Sequence, residues 1–150
     1  AWSSNNIKLG RHKSMPLSAL HPLSGTPGVR LFDLQYGDTD ADRMDFADAT
    51  GTAIIHDDTI DQVADLDAFA AQVAALDLVI SVSNTTVHIA GAMGVPTWVL
   101  LNAAPLSCWM RDGEESPWYP SVRLFRQTEA GEWDDVVERA ARELTEFAEG

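Results

Sequence analysis

A run of four small polar residues stands between an apolar segment and a helical pattern. It reads Ser83, Asn84, Thr85 and Thr86, and it follows the apolar residues 78–82. Side chains of this kind cap a helix by accepting hydrogen bonds from its free backbone N–H groups. The same N–H groups and the helix dipole attract phosphate. The segment therefore predicts either an ordinary capped helix or a helix start that binds phosphate.

Basic residues gather in one loop near the start of the sequence. Lys8, Arg11 and Lys13 fall within six residues, with His12 between them, although the chain carries a formal net charge of −13. A basic cluster in an acidic chain predicts a local anion site, and the alternative is a solvated basic loop.

The residues after this cluster suggest how a lysine would be positioned. Ser14 is predicted to be an N-cap, with Pro16 in the first turn of a short helix that runs through Leu20. Lys13 would then stand at a helix entrance, where its ammonium is a suitable point charge for a phosphate.

A long loop at 102–120 holds Trp109, Arg111, Trp118 and Tyr119. Flat aromatic rings in such a loop could fold over a base or a sugar. The alternative is that they cover the end of a sheet, an interpretation that favours a structural role for Trp118 and Tyr119.

The elements that must position these residues alternate between two periods. Strand-like segments are predicted at 29–34, 52–56, 78–82, 97–101 and 122–125, and helical segments open at Asp65, run from Asn84 to Met93 before Gly94, and run from Asp134 to Phe147. The acidic stretch 33–48 has little periodicity. Alternating strands and helices predict an α/β domain with a doubly wound parallel sheet covered on both faces.

Length and composition restrict the class of protein further. The 150 residues are enough for a single domain, and 45% hydrophobic with 22% charged residues is typical of globular proteins. The net charge makes nucleic acid an improbable partner, and no apolar run approaches the ~18 residues of a membrane span. The lone Cys108 favours a reducing compartment, so a cytoplasmic location is expected. Ala1 to Ser4 resemble the tail of a strand, so we expect the chain to be part of a longer protein.

A metal site is not expected. Asp38-Thr39-Asp40 is a D-x-D motif, a short acidic pattern that binds a metal in some enzymes. Short acidic motifs are common by chance in a chain with 23 acidic residues, and no His/Cys/Asp spacing suggests zinc.

Two segments resemble a known family. The first, 81–96, reads SVSNTTVHIAGAMGVP, and the second, 116–127, reads SPWYPSVRLFRQ. Both resemble the C-terminal, donor-binding domain of GT-B glycosyltransferases, most of all the bacterial proteins that carry tetratricopeptide repeats. Glycosyltransferase family 9 and the O-linked N-acetylglucosamine transferases are more distantly similar. The resemblance extends over essentially the whole chain, with Trp2–Asn5 similar to the first strand and loop and Lys13–Pro16 to a basic residue before a short helix.

The resemblance implies a Rossmann-like half-enzyme that binds a nucleoside-diphosphate sugar without a metal or another cofactor. Lys13 is the implied catalytic residue, since it would neutralise the diphosphate as the nucleotide leaves. The implied donor-binding residues are Asn5, Ser83, Asn84, Thr85, Thr86, His88 and Trp109. His88 is predicted to steady the turn rather than touch the ligand.

The same resemblance implies a missing N-terminal domain that binds the acceptor, so this chain alone is not expected to transfer sugar. The alternative function is a non-catalytic module, derived from a glycosyltransferase, that binds a nucleotide or a protein.

Overall fold

A computed structural model describes residues 1–6 and 8–150 of the chain. Ile7, which falls within the predicted basic loop 5–16, lies outside the described residues. The strands are β1 (Leu31–Phe32), β2 (Ile54–Ile55), β3 (Val79–Val82), β4 (Thr97–Leu101) and β5 (Val122–Arg126). The α-helices are α1 (Gly10–Lys13), α2 (Asp40–Thr50), α3 (Leu66–Ala74), α4 (Thr85–Ala92) and α5 (Asp134–Glu149). Two 3₁₀ helices span Leu17–Leu23 and Ser107–Trp109.

Parallel pairing joins these strands into two sheets. β1 pairs with β2, and the second sheet has the order β3-β4-β5, with Val82 opposite Leu100 and Leu100 opposite Phe125. β4 is buried at all five positions because helices cover both of its faces.

The segment at Ala1 continues the larger sheet beyond β3. The amine of Ala1 donates to the Ile80 carbonyl at 3.3 Å, and the Val82 N–H donates to the Ala1 carbonyl at 3.1 Å. This is the spacing of a parallel pair. On the other side, the Gln35 side chain just after β1 accepts from the N–H groups of Trp2 and Ser3 at 3.1 and 2.9 Å. The Ala1 segment therefore connects β3 with the β1–β2 pair.

Helices cover the sheet on both faces. On one face α5 and the Leu17–Leu23 helix pack with α2 against Trp98, Leu100 and Phe125. On the other face α3 and α4 pack against Val79, and Val99, Leu101 and Trp109 form a neighbouring cluster with Val87 and Leu124. The predicted doubly wound α/β fold is therefore confirmed.

Several predicted boundaries of strands and helices agree with the structure because the sequence patterns that mark them are strong. β4 has the bounds predicted for it, α4 begins after its cap at Asn84, and Gly94 has the left-handed φ of +74° at which its helix stops. The apolar stripe predicted for α5 comprises Val136, Val137, Ala140, Leu144 and Phe147; the first four are buried, whereas Phe147 remains exposed.

Other predictions were wrong. The strands predicted at 29–34 and 52–56 are only two residues long, and the acidic stretch 33–48 contains most of α2. Ser14 does not begin a helix: it ends α1, and its Oγ accepts from the Ser4 N–H at 2.9 Å. The next helix is a 3₁₀ helix that begins at Leu17, because Pro16 is extended.

An apolar groove of about 1130 Å³ is bordered by β1, β2 and the start of β3. Phe32, Ile55 and Phe147 line it and remain 38–42% exposed. Among residues 1–6 and 8–150, no helix is both long enough and apolar enough to cross a membrane.

Candidate functional site

A second pocket, of about 580 Å³, opens at the edge of the sheet where β3, β4 and β5 end. Ser83 follows β3, Asn102 follows β4 and Gln127 follows β5. Ligands of doubly wound sheets bind outside this carboxyl edge. The basic loop closes one side of the pocket, whose lining residues are Leu9, Arg11, His12, Lys13, Ser14, Ser83, Asn102, Ala103, Ala104, Leu106, Gln127, Ala130, Gly131 and Trp133.

The charge of this lining is opposite to that of the chain. Arg11 and Lys13 contribute two cations and His12 an imidazole, whereas no Asp or Glu of the described residues lines the pocket. The chain as a whole has 23 acidic and 10 basic residues. The pocket therefore has a lining of positive charge in an otherwise acidic molecule, an arrangement that favours an anionic ligand.

Lys13 is the buried cation of the pocket. The residue is 8% exposed, and no carboxylate oxygen of the described residues lies within 4.0 Å of its ammonium. Burial lowers the pKa of Lys13, an effect that the nearby Cys108 opposes. A buried cation without a carboxylate partner is poorly solvated, so an anion in the pocket would relieve that cost.

Asn84 organises the start of α4. Its Oδ1 accepts from the Thr86 N–H at 3.1 Å, which is the predicted helix cap, and its Nδ2 donates to the Ser3 carbonyl at 3.2 Å. Asn84 therefore ties the Ala1 segment to the helix start.

This cap changes the expected role of the turn. The N–H of Thr86 was predicted to bind phosphate, but it is already bonded to Asn84. Thr86 is buried, Thr85 is exposed, and neither residue lines the pocket. Among the turn residues only Ser83 contributes to the lining.

Trp109 was expected to present its ring to a ligand, and this expectation was wrong. The residue is 0% exposed, and its indole N–H donates to Ser83 Oγ at 2.9 Å. Its ring stacks on His88, with 5.2 Å between ring centroids and 17° between planes. The sequence could not reveal this burial because it depends on residues more than 20 positions away.

His88 lies behind the pocket wall. Its Nδ1 is 3.2 Å from the Tyr119 hydroxyl, and it does not line the pocket. Burial, followed by the charge of Lys13, lowers the pKa of His88. These contacts agree with the predicted structural role.

Asn5 stands apart from the other predicted residues. It is exposed, does not line the pocket, and its backbone N–H donates to the Tyr36 hydroxyl. Of the eight predicted site residues, the structure thus brings only Lys13 and Ser83 together in the lining.

Gln127 is a site residue that the sequence did not single out. It is 7% exposed and lines the pocket, and its Nε2 is buried without a partner among the described residues. A buried amide left unsatisfied costs about 1–3 kcal/mol. The signal that could have found it was its place two residues after the predicted strand 122–125, at the edge where ligands of such sheets bind.

The D-x-D motif has other partners. Asp38 Oδ1 accepts from the Asp40 N–H at 3.1 Å, and Asp40 pairs with Arg43. Across 1–6 and 8–150, no group of three or more His, Cys, Asp or Glu side chains is arranged to hold a metal ion.

Nearly the whole of this chain is similar to part of a curated protein. Protein FlbA of Caulobacter vibrioides is 41% identical over 151 residues, a match that covers 98% of this chain and 24% of that protein. No protein-family model matches the chain, and no solved structure matches it. The chain thus spans about a quarter of the length of the curated relative that it matches.

Proposed function

We propose that this domain binds a nucleoside-diphosphate sugar as the donor half of a metal-independent glycosyltransferase. The observation that carries the proposal is the pocket at the strand ends, which no carboxylate of the described residues lines and to which the buried residues Lys13 and Ser83 both contribute. The sequence resemblance to GT-B donor domains supplies the identity of the anion. The pocket volume of about 580 Å³ lies within the range of small-molecule sites.

The proposed mechanism is electrostatic. Cleavage of the bond between sugar and phosphate leaves negative charge on the departing diphosphate. Lys13 supplies a full positive charge in the pocket, and this charge is present before the reaction begins. The dipole of α4, which begins two residues after Ser83, adds a smaller contribution, because the first N–H groups of the helix do not line the pocket.

The acceptor and the group that deprotonates it belong, in this proposal, to another domain of a cytoplasmic protein. Tetratricopeptide repeats are the expected additional segment, as in the bacterial proteins that the sequence resembles. Reacting atoms must be held about 3–3.5 Å apart, and the proposed site is a donor site only. We therefore expect these 150 residues alone to transfer no sugar. In the same assay, a longer form that includes the preceding domain should show turnover.

The direct test is calorimetric titration of UDP, with GDP in parallel, in buffer containing EDTA. Wild-type protein is expected to bind one of them without a divalent metal. Lys13→Ala should weaken diphosphate binding by about 1–3 kcal/mol and leave uridine or guanosine binding nearly unchanged, because a charge-assisted contact is lost.

The matched control is Lys8→Ala, since Lys8 is exposed and does not line the pocket. Equal losses from both lysines would contradict the site. Binding that required Mg²⁺ or Mn²⁺ and disappeared in Asp38→Asn would contradict the metal-independent proposal. Tight nucleotide binding without turnover in the longer form would favour the non-catalytic module.

A further inference from the structure

The Gln127 side chain has one fixed end and one free end. Its Oε1 accepts from the Ala103 N–H at 3.1 Å and from the Gly131 N–H at 3.3 Å. Turning the amide over would place its NH₂ group against two N–H donors, so the orientation is determined by its neighbours. Nε2 is therefore the atom left over, and it is buried without a partner among the described residues.

The other polar groups of the pocket do not supply the missing acceptor. Arg11 and Lys13 are donors only, and the Asn102 amide NH₂ is turned toward the Ala104 carbonyl at 3.1 Å. No carboxylate among the described residues lines the pocket. Gln127 Nε2 thus has no hydrogen-bond acceptor among the described residues, and an oxygen atom of a molecule bound in the pocket would supply one.

The position of Gln127 limits how far that acceptor lies from the diphosphate proposed beside Lys13 and Ser83. Ser83 follows β3 and Gln127 follows β5, with β4 between them, and the Gln127 N–H donates to the Leu101 carbonyl at 2.9 Å. Neighbouring strands are about 4.8 Å apart, so the Gln127 backbone stands roughly 10 Å from that of Ser83. Its side chain turns toward the end of β4, where the Ala103 N–H donates to Oε1, so the free amide lies within one or two strand spacings of Ser83. A nucleoside-diphosphate sugar has uncharged oxygen atoms at such distances from its phosphates.

We propose that Gln127 selects the donor by donating a hydrogen bond from Nε2 to an uncharged oxygen of the ligand. This inference rests on the proposed function, because it assumes a diphosphate beside Lys13 and Ser83. The oxygen belongs to the nucleoside or to the transferred sugar, and both present the same acceptor chemistry.

The test uses Gln127→Glu, which retains an oxygen for Ala103 and Gly131 and replaces only the free NH₂. Binding of uridine, UDP and UDP-glucose, with the guanosine series in parallel, is measured by ligand-observed NMR and calorimetry. Unchanged thermal unfolding of the variant would establish that the fold is intact, and Gln127→Leu provides a neutral second variant.

The expected result is at least about tenfold weaker binding, the size of a lost polar contact in a buried site. If the oxygen is on the nucleoside, uridine itself weakens in both variants. If it is on the sugar, UDP-glucose weakens more than UDP. In either case Gln127→Leu should show the same pattern as Gln127→Glu.

Two results would overturn the inference. The first is equal weakening of UDP and UDP-glucose by Gln127→Glu, with uridine and Gln127→Leu unaffected, because this is repulsion by an added charge. The second is wild-type affinity of both variants for all ligands, which indicates that water satisfies the amide. A wild-type chain that bound none of the nucleotides would instead refute the proposed function, and this inference with it.

Discussion

Trp109 fixes the hydroxyl of Ser83: the indole N–H donates to Ser83 Oγ at 2.9 Å, from a residue 26 positions further along the chain. The bond occupies an acceptor site of the hydroxyl and leaves its own proton available for another partner. Because Ser83 lines the pocket and Trp109 does not, the tryptophan acts on the site only through this contact and its packing.

Trp109→Phe is therefore expected to reduce the free energy of unfolding by about 1–3 kcal/mol, since it removes a buried hydrogen bond and leaves space behind. Urea denaturation measures the loss. The matched control is Trp118→Phe: the Trp118 indole also donates a hydrogen bond, to the Cys108 carbonyl at 2.8 Å, but the residue is 61% exposed. Trp118→Phe should lower the free energy of unfolding by less than about 0.5 kcal/mol. Similar losses in the free energy of unfolding would show that the buried Trp109–Ser83 hydrogen bond contributes no more than the exposed one of Trp118.

His88 should make the fold sensitive to mild acid. Burial and the charge of Lys13 lower its pKa from the ordinary 6.5, so on the acid side of 6.5 the unfolded chain binds more protons than the folded one. Stability contributed by neutral His88 is thus lost as the pH falls below 6.5. His88→Gln is expected to reduce the fall in urea midpoint between about pH 7.5 and about pH 5.5.

The control for this prediction is His12→Gln, because His12 is exposed. Its pH dependence should match that of the wild type. If His88→Gln lost as much stability on acidification as the wild-type chain, the assigned shift in the His88 pKa would be wrong.

Gly91 is required by an aromatic ring rather than by its backbone conformation. A Cβ at this position would lie 2.6 Å from Cγ of Tyr119, whose hydroxyl is also held by His88. Helix propensity favours alanine by about 1 kcal/mol, whereas overpacking costs about 1–3 kcal/mol. We expect Gly91→Ala to lower the melting temperature, with the steric cost dominant.

Two further variants separate these effects. Ala92→Ser changes the next residue of α4, which is exposed, and should have little effect. Tyr119→Leu combined with Gly91→Ala should lose less stability than the two single changes added together. Strict additivity would contradict a clash between the methyl group introduced by Gly91→Ala and the Tyr119 ring.

Elements with a strong local signal could be predicted from the sequence. β4 is a continuous apolar run, and α5 carries its buried residues on one stripe. α2 was missed because Phe46 is its one buried residue, so its apolar periodicity is too weak to recognise. Its helix is stabilised instead by Asp40 and Asp42 in the first turn and by a left-handed Gly51 at its end.

The candidate site could be predicted only where local pattern determines it. The cap at Asn84 and the edge position of Ser83 follow from the order of strand and helix. The burial of Trp109 and the free amide of Gln127 do not, because they depend on contacts with His88 and Ala103 that are distant in sequence. Long-range packing decides such roles, and a single sequence does not display it.

The apolar groove beside β1 has a consequence for the behaviour of the domain in concentrated solution. Strand edges and exposed apolar side chains attract other extended chains, whereas a net charge of −13 keeps copies apart. Salt shortens the range of that repulsion from about 30 Å at 0.01 M to about 8 Å at physiological ionic strength, and it leaves the apolar attraction intact. Colloidal stability should therefore decline as salt is added, so copies of this protein should stay dispersed best in buffer of low ionic strength.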